Sequence, residues 1–261
     1  MACRTIAIAN QKGGTGKTAT TLSLGIALSR RGKRVLLVDT DPQGDLTKSL
    51  GWPDPDSIKD TLANHIQAIV DGDDIQADVG ILHHKEGIDL MPSNINLAGM
   101  EMGIFMAMSR EQILNRWISQ LKGAYDYILF DCAPTLGIIP VNTFVPSDSI
   151  LIPVSAEYLP ASAMTGLLKT IYRVKRQINP DLEVEGILIT LFDGRNNLAK
   201  EVERTIREQF GATNRVFDTV IPRAVAAAES PAAGMSIFAY DKESKVADAF
   251  NRLAGEVISN G

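Results

Sequence analysis

The feature that most constrains this chain is a glycine-rich loop that holds two lysines. The loop, Lys12-Gly13-Gly14-Thr15-Gly16-Lys17-Thr18, follows an apolar run at 5–9 and precedes a stretch with helical spacing. Glycines let backbone N–H groups converge on phosphate oxygens, and the start of the following helix adds a favourable partial charge. Lys17 and the Thr18 hydroxyl are placed to reach phosphates and a Mg²⁺ ion. The loop therefore predicts a nucleotide-binding protein.

The loop departs from the ordinary G-x-x-x-x-G-K-[ST] spacing of phosphate loops. The first glycine of that pattern would fall at position 11, which is Gln11, and an additional lysine, Lys12, opens the loop. Lys12 has no role on its own nucleotide that Lys17 does not already fill, and an exposed, solvated lysine is the alternative to a functional one. The three glycines alone could simply permit tight turns. They indicate a phosphate loop only because Lys17-Thr18 follows them and a predicted strand precedes them.

Aspartates end two further apolar runs. The first run leads into Asp39-Thr40-Asp41-Pro42-Gln43-Gly44 and the second, at 127–130, into Asp131-Cys132-Ala133-Pro134. At the carboxyl ends of neighbouring strands, Asp131 is expected to hold Mg²⁺ directly or through water, and Asp39 to join the Mg²⁺ shell through water. Asp41 can reach toward the γ-phosphate. A strand-capping role for Asp131 and a turn-forming role for Asp41 are the alternatives.

Apolar runs alternate with amphipathic stretches along the whole chain. Strands are predicted near residues 4–9, 34–39, 127–131, 149–154 and 184–191, with weaker candidates at 79–82, 88–91 and 216–221. Helices are predicted at 18–31, 58–70, 95–121, 161–178, 198–210 and 244–258. We expect an α/β fold in which residues 1–261 form a single domain, a doubly wound, mostly parallel sheet flanked by helices, with its ligand at the carboxyl ends of the strands.

Composition limits the classes of partner. A formal net charge of −5 argues against a generally basic nucleic-acid binder, so any DNA contact must be local. No stretch approaches about 18 uninterrupted apolar residues and none resembles a signal peptide, which predicts a cytoplasmic protein. Cys3 and Cys132 are expected to be reduced, buried thiols. The pair His83-His84 is expected in a surface loop, because no further ligand cluster completes a metal site.

The motifs together resemble those of the ParA/MinD family of ATPases, whose deviant phosphate loop reads K-G-G-x-G-K-T. The two Asp-containing strand ends occur in the family's order, and three later segments resemble the ParA branch: Ala156-Glu157-Tyr158, Phe192 to Leu198 and Val220-Ile221-Pro222-Arg223. The resemblance covers roughly residues 4–258. Departures are Thr15 where Val is frequent, Ala19 where a third Thr is usual, and the run 226–228, which is alanine where a more polar run is common.

The resemblance implies roles that the residues alone leave open. Lys12 would cross a dimer interface and stabilise charge at the other subunit's phosphates, and Asp41 would orient or activate the attacking water. Arg195 and Arg223 match DNA-contacting positions of relatives, on a face expected to lie far from the phosphates, and Pro222 would help frame the adenine. The complete expected nucleotide-binding set is Gly13, Gly14, Thr15, Gly16, Lys17, Thr18, Ala19 and Pro222, and the metal set is Thr18, Asp39 and Asp131.

Without the resemblance, Arg195 and Arg223 could equally be solvated surface arginines. Further cations could extend a basic patch, or they could pair along the helix with the interleaved Glu201, Glu203 and Glu208. These cations are Lys200, Arg204, Arg207 and Arg215.

The function that the resemblance implies is ATP-dependent partition of DNA. ATP and Mg²⁺ would close a homodimer that binds double-stranded DNA without sequence preference at the nucleoid, and a ParB-like centromere-binding protein would stimulate hydrolysis. Because nothing precedes the first strand, we expect no helix-turn-helix extension. A MinD-like membrane-positioning ATPase is disfavoured, since Val246, Phe250, Leu253 and Val257 of the last helix read as a core-facing stripe. An iron–sulfur carrier is disfavoured by the two cysteines, and a biosynthetic ATP-dependent enzyme of this fold remains an alternative.

Overall fold

Eight strands form one sheet in the computed structural model, which describes residues 2–157 and 161–260. In chain order they are β1 Arg4–Ile8, β2 Val35–Asp39, β3 Leu82–His84, β4 Ile88–Met91, β5 Tyr127–Asp131, β6 Ser149–Ser155, β7 Glu183–Phe192 and β8 Val216–Pro222. Their order across the sheet is β3-β4-β2-β5-β1-β6-β7-β8, and only the β3–β4 pair is antiparallel. The predicted mostly parallel, doubly wound α/β sheet is confirmed.

Helices cover both faces of this sheet. They are α1 Lys17–Ser29, α2 Asp45–Ser49, α3 Leu62–Asp71, α4 Asn96–Met106, α5 Ile113–Leu121, α6 Ile138–Phe144, α7 Ala161–Gln177, α8 Asn197–Phe210, α9 Val225–Ala232, α10 Ile237–Tyr240 and α11 Lys245–Ser259. Side chains of α3 to α8 pack into one apolar core, and side chains of α1, α2, α10 and α11 pack into a second core on the opposite face. Strands buried on both faces explain the near-continuous apolar runs.

Strand register brings the acidic strand ends together. β5 pairs with both β1 and β2, with Asp131 opposite Ile8 on one side and opposite Asp39 on the other. Parallel strands end at the same edge of a sheet, so the phosphate loop after β1 and the two aspartates meet at the carboxyl edge. The fold therefore brings Asp131 to the same edge as the phosphate loop, although more than one hundred residues separate them in the sequence.

The apolar stripe of the last helix packs in the core, as predicted. Val246, Phe250, Leu253 and Val257 of α11 are all buried. A further link ties the start of β1 to this helix, because the Arg4 guanidinium donates to the Val257 carbonyl oxygen at 2.8 Å. The apolar face of α11 is thus occupied by the protein's own core.

Two predicted helices have different boundaries. The helix predicted at 95–121 is two helices, α4 and α5, because Ser109 adopts a left-handed conformation with φ of 52°. The Asn142 side chain holds this break by accepting from the Leu114 N–H and donating to the Arg110 carbonyl. The helix predicted at 58–70 begins only at Leu62, where Thr61 and Asn64 form a capping box.

The strand predicted at 79–82 was misplaced. Gly80 has a φ of 79° within a turn, so extended structure begins only at Leu82. His83 and His84, expected in a surface loop, are instead part of this edge strand. The His83 ring hydrogen-bonds the Asp89 carboxylate of the neighbouring β4 at 2.6 Å, and His84 is buried. The short helices α2, α6, α9 and α10 were not predicted from the sequence, since helices of 4 to 8 residues carry too few turns to show a period.

Candidate nucleotide site

Residues 9–16 form the loop between β1 and α1. Gly14 and Gly16 have φ of 71° and 81°, a left-handed conformation that favours glycine, whereas Gly13 needs no such conformation. Gly16 precedes α1 and provides no side-chain cap. The first N–H groups of a helix have no partner within the helix, so this helix start offers unpaired donors to an anion.

Two residues outside the motif hold the loop in place. The Asn10 amide donates to the Pro153 carbonyl of β6 at 2.7 Å, and its oxygen accepts from the Lys12 N–H at 3.0 Å. On the other side, the Thr190 hydroxyl of β7 donates to the Thr15 carbonyl at 2.8 Å. Sequence reasoning missed both anchors, because their partners lie 143 and 175 residues away.

Lys17 is nearly buried at the first turn of α1, with 8% of the residue exposed. Its ammonium donates to the Lys12 carbonyl oxygen at 3.2 Å. Burial lowers the pKa of Lys17, and the nearby Asp131 carboxylate opposes that change. A buried ammonium held over a loop of backbone donors is stabilised when an anion binds beside it.

Asp131 lies against the hydroxyls of the first turns of α1. The Thr21 hydroxyl donates to it at 3.3 Å, and the Thr18 side chain also hydrogen-bonds this carboxylate. Burial, followed by the neighbouring Asp39, raises the pKa of Asp131 well above its usual range. A cation beside this pair of carboxylates would favour their charged forms.

Asp39 is fully buried and its oxygens are held from three sides. The Thr47 N–H and hydroxyl donate to one oxygen at 3.0 and 2.7 Å, and the Asp41 N–H donates to the other at 3.1 Å. Burial nevertheless raises the pKa of Asp39 to about 7. These bonds connect β2 to α2, so Asp39 positions the segment that carries Asp41 as well as facing Asp131.

Asp41 is only half-buried and faces open space. It lines a cavity of about 670 Å³ together with Gly14, Lys17 and Thr18, and a second cavity of about 310 Å³ with Pro134. One oxygen accepts from the Gln43 N–H at 3.0 Å. The larger cavity thus brings together the loop, its buried lysine and an accessible carboxylate.

A smaller cavity of about 220 Å³ adjoins the loop on the other side. It is lined by Gly16 and Ala19, by Leu191 near the end of β7, by Pro222, the last residue of β8, and by Arg223, which follows it. Pro222 therefore borders a cavity that the end of the loop and the start of α1 also line. Arg223 was expected far from the phosphates; it lies instead in this same cavity, because β8 runs parallel to β7 and ends at the same edge of the sheet as the loop.

The two arginines of the expected DNA face are both paired with carboxylates. The Arg195 guanidinium, 92% exposed, contacts Asp193 at 3.1 Å, and Arg223 pairs with Glu157. Arg195 chiefly, with a smaller contribution from Arg223, lowers the pKa of Asp193, so the two arginines flank one acidic residue. Solvent screens exposed pairs of this kind, so they are weak and can exchange partners. Tyr158, part of the resembling segment at 156–158, lies outside the described residues.

Of the four other cations that could have extended a basic patch, three are paired with acidic residues instead. Arg204 pairs with Glu208, Arg207 with Glu203 and Arg215 with Glu256, whereas Lys200 is exposed on α8. Both cysteines are free thiols. Cys132 is buried, which raises its pKa to about 12, whereas Cys3, also expected to be buried, is only half-buried.

Within residues 2–157 and 161–260, no group of three His, Cys, Asp or Glu side chains is arranged as a metal centre. Asp39, Asp131 and the Thr18 hydroxyl are too few to hold a cation by themselves. They fit Mg²⁺, which prefers oxygen ligands and usually takes the rest from phosphates and water. The same part of the chain contains no helix that is long and apolar enough to cross a bilayer.

Comparisons with known proteins agree with this geometry. A family model described as an AAA domain (AAA_31) matches residues 3–184. The sporulation initiation inhibitor protein Soj of Bacillus subtilis is 41% identical over 259 residues, covering 98% of both chains. The chromosome partitioning protein ParA of Caulobacter vibrioides is 36% identical, covering 98% of this chain and 94% of that protein.

Solved structures share the whole architecture. A structure of cobyrinic acid a,c-diamide synthase from Mycobacterium smegmatis, with bound ADP and magnesium, has a TM-score of 0.84 and 34% identity over 97% of this chain and 93% of that chain. The cell division ATPase MinD of Pyrococcus furiosus has a TM-score of 0.75 and 26% identity, covering 99% of both chains.

Proposed function

The chain belongs to the ParA/MinD family of ATPases, and from that premise we propose that it is a ParA-type partition ATPase. In this proposal ATP and Mg²⁺ close two copies into a homodimer, the dimer binds duplex DNA without sequence preference, and hydrolysis releases it. The proposal treats residues 1–261 as one ATPase domain. The identities of 41% and 36% to Soj and to a chromosome partitioning ParA, over nearly the whole chain, support it.

One observation carries the proposal: the loop has two lysines with different surroundings. Lys17 is buried with its ammonium over the loop, whereas Lys12 is half-buried at the loop's entrance and gives its backbone carbonyl to Lys17. Lys17 therefore faces its own loop's anion. A second cation at the mouth of the same loop is suited to reach phosphates held by another copy, where it would stabilise charge that develops during hydrolysis.

The other residues divide into binding and positioning roles. Loop N–H groups from Gly13 to Ala19 bind phosphate oxygens, and Pro222 borders the base. Thr18, Asp39 and Asp131 would hold Mg²⁺, which would neutralise phosphate charge. Asp41 is the accessible carboxylate of the site, so we assign it the orientation of the attacking water and acceptance of its proton.

The proposal also names partners and a place in the cell. A ParB-like centromere-binding protein would stimulate hydrolysis, and Arg195 and Arg223 would contact DNA after exchanging their carboxylate partners. The protein would then act in the cytoplasm at the nucleoid. Membrane positioning of the MinD kind by the last helix is disfavoured, because the apolar face of α11 packs in the core.

A second candidate is a biosynthetic amide synthase, favoured by the structure at 34% identity that carries such a name. An enzyme of that kind would use ATP to convert a carboxylic acid into an amide. Its ATP hydrolysis should depend on that acid and be indifferent to DNA.

The test measures ATP hydrolysis and particle mass by light scattering, with ATP, with ADP and without nucleotide, each with and without duplex DNA. The proposal expects Mg²⁺-dependent hydrolysis and a doubling of mass with ATP only. Hydrolysis by a particle that stays a monomer in ATP and is insensitive to DNA would overturn it in favour of the biosynthetic candidate.

A further inference from the structure

The exposed face of α7 carries the least compensated positive charge among the described helices. Its sequence from 161 to 177 contains four cations, Lys169, Arg173, Lys175 and Arg176, and no carboxylate. The chain as a whole has more acidic than basic residues, 31 against 26. A helix without a single acid in such a chain is a local reversal of the overall charge.

The geometry of α7 places three of these cations on one side. At about 100° per residue, Lys169, Tyr172, Arg173 and Arg176 fall within about 100° of the helix circumference. Their side chains are exposed, Tyr172 at 52%. The opposite side is buried and consists of Met164, Leu167, Ile171 and Val174. We call the exposed set of Lys169, Tyr172, Arg173 and Arg176 the α7 stripe.

The cations of the stripe have no partner among the described residues. Lys169, Arg173 and Arg176 make no ion pair or hydrogen bond there, whereas on α8 Arg204 and Arg207 each pair with a glutamate one turn away. A helix C-terminus favours cations in its last turn, which accounts for Arg176. It does not account for Lys169 and Arg173, which lie further toward the start.

The stripe continues into a polar cleft of about 260 Å³ at its C-terminal end. Tyr172 and Lys175 form one wall and Arg215 with Asn214 the other. Lys175 and Arg215 are paired with Glu183 and Glu256. The cleft therefore adds hydrogen-bond donors beside the unpaired cations.

From these observations we infer that the α7 stripe binds the phosphate backbone of double-stranded DNA. The inference rests on the proposed function and gives that function a surface other than Arg195 and Arg223. Lys169 to Arg176 spans about 10 Å along the helix, close to the axial rise of three phosphates on one strand. The stripe exposes no aliphatic side chain, so it lacks the bulky apolar residues with which a helix enters a membrane surface. The contacts are to phosphate, so they carry no sequence preference.

The test replaces the three cations by glutamine, Lys169→Gln, Arg173→Gln and Arg176→Gln together, and measures affinity for duplex DNA against salt with ATP and Mg²⁺. The matched control is Lys59→Gln, Lys85→Gln and Lys242→Gln, which removes the same charge at three scattered exposed lysines. The stripe variant should lose about tenfold or more in affinity near 0.1 M salt. Its slope of log affinity against log salt should flatten by up to about 2.7 for each subunit engaged.

The control should keep nearly the native affinity and slope, and both variants should keep ATP-induced dimerisation and DNA-free hydrolysis. If the wild type binds DNA and the stripe variant binds equally well, the stripe inference is wrong while the proposed function stands. If the wild type binds no duplex in any nucleotide state, the proposed function fails and the stripe inference with it. A stripe variant that loses the wild type's binding to phosphatidylglycerol vesicles but keeps its DNA binding would also overturn the inference and identify an anionic lipid surface as the ligand.

Discussion

The nucleotide edge and the α7 stripe both present positive charge, but they differ in how that charge is compensated. At the nucleotide edge Lys17 faces Asp131 and the Lys12 carbonyl, and Asp39 is held by Thr47. On the stripe Lys169, Arg173 and Arg176 have no partner in the described part of the chain. Buried, interlocked groups act as a unit, whereas exposed cations act through a sum of screened contacts. Substitutions at the edge should therefore have large effects on ATP chemistry, and those on the stripe should be graded and salt-dependent.

The largest effect is expected from Lys12→Ala. If this lysine acts across a dimer interface, its loss should reduce DNA-stimulated hydrolysis by roughly 10³-fold and abolish ATP-induced dimerisation, while one-subunit nucleotide binding remains. Light scattering with ATP and Mg²⁺, alongside a hydrolysis assay, measures both. Lys12→Arg keeps the charge and should retain part of the activity. An alanine variant that dimerises like the wild type would show that Lys12 is an ordinary surface cation.

Asp41→Ala should slow hydrolysis to a similar extent as Lys12→Ala, but without loss of dimerisation. Loss of a group that accepts the proton of water lowers turnover by roughly 10²- to 10⁴-fold. ATP binding and dimerisation should remain, so the variant should stay on DNA in ATP. Asp45→Ala is the matched control, because Asp45 lines the same cavity and its charge is exposed beside Lys48. Native turnover in Asp41→Ala would remove this residue from the mechanism.

Lys17→Ala should weaken ATP binding by about 100-fold or more, because a charge-assisted contact to the phosphates is lost. The fold should survive, since the substitution removes a buried charge. Titration with a fluorescent ATP analogue measures the affinity. The matched control is Lys48→Ala, since Lys48 lines the same cavity but pairs with Asp45 and with the Gln43 carbonyl. Equal losses in the two variants would mean that the cavity's general charge, and not the loop geometry, binds ATP.

A smaller effect is expected when pH changes the Mg²⁺ concentration that hydrolysis requires. Burial raises the pKa of Asp39 to about 7 and that of Asp131 also upward, so at pH 6 this pair retains protons that a cation must displace. The half-saturating Mg²⁺ concentration for hydrolysis should fall by up to about tenfold from pH 6 to pH 7 and change less above pH 8. Asp39→Asn should flatten this profile. An identical profile in Asp39→Asn would show that Asp39 is not the titrating group.

The sequence predicted the nucleotide edge better than any other region. The loop from Lys12 to Thr18 is contiguous, and Asp39 and Asp131 each end a run that is apolar on both faces, so strand geometry alone brings them together. The anchors Asn10 and Thr190 could not be predicted, because nothing local distinguishes an asparagine that bonds Pro153 from one in a turn. The same limit applies to Ser109, whose left-handed φ lies at a break that Asn142 of another helix bridges by hydrogen bonds.

The charge partners of surface residues also could not be predicted from the sequence. The helix at 161–178 was predicted, and the spacing of Lys169, Arg173 and Arg176 is visible in it, yet only the folded chain shows that these cations lack acids nearby. Arg223 illustrates the reverse case: its pairing with Glu157 joins residues 66 positions apart. Its place beside the loop follows from the position of β8 in the strand order and its parallel direction, which no local pattern indicates.

The most direct test of the account is the affinity of the wild-type protein for one unrelated DNA duplex in three states: with ATP and Mg²⁺, with ADP and Mg²⁺, and without nucleotide. Near 0.1 M salt, we expect binding with ATP at least about tenfold tighter than in the other two states, because two copies present their cations together only in the closed dimer. Lys12→Ala should lose this difference. Equal affinity in all three states, or no binding in any of them, would contradict the account of an ATP-gated partition protein.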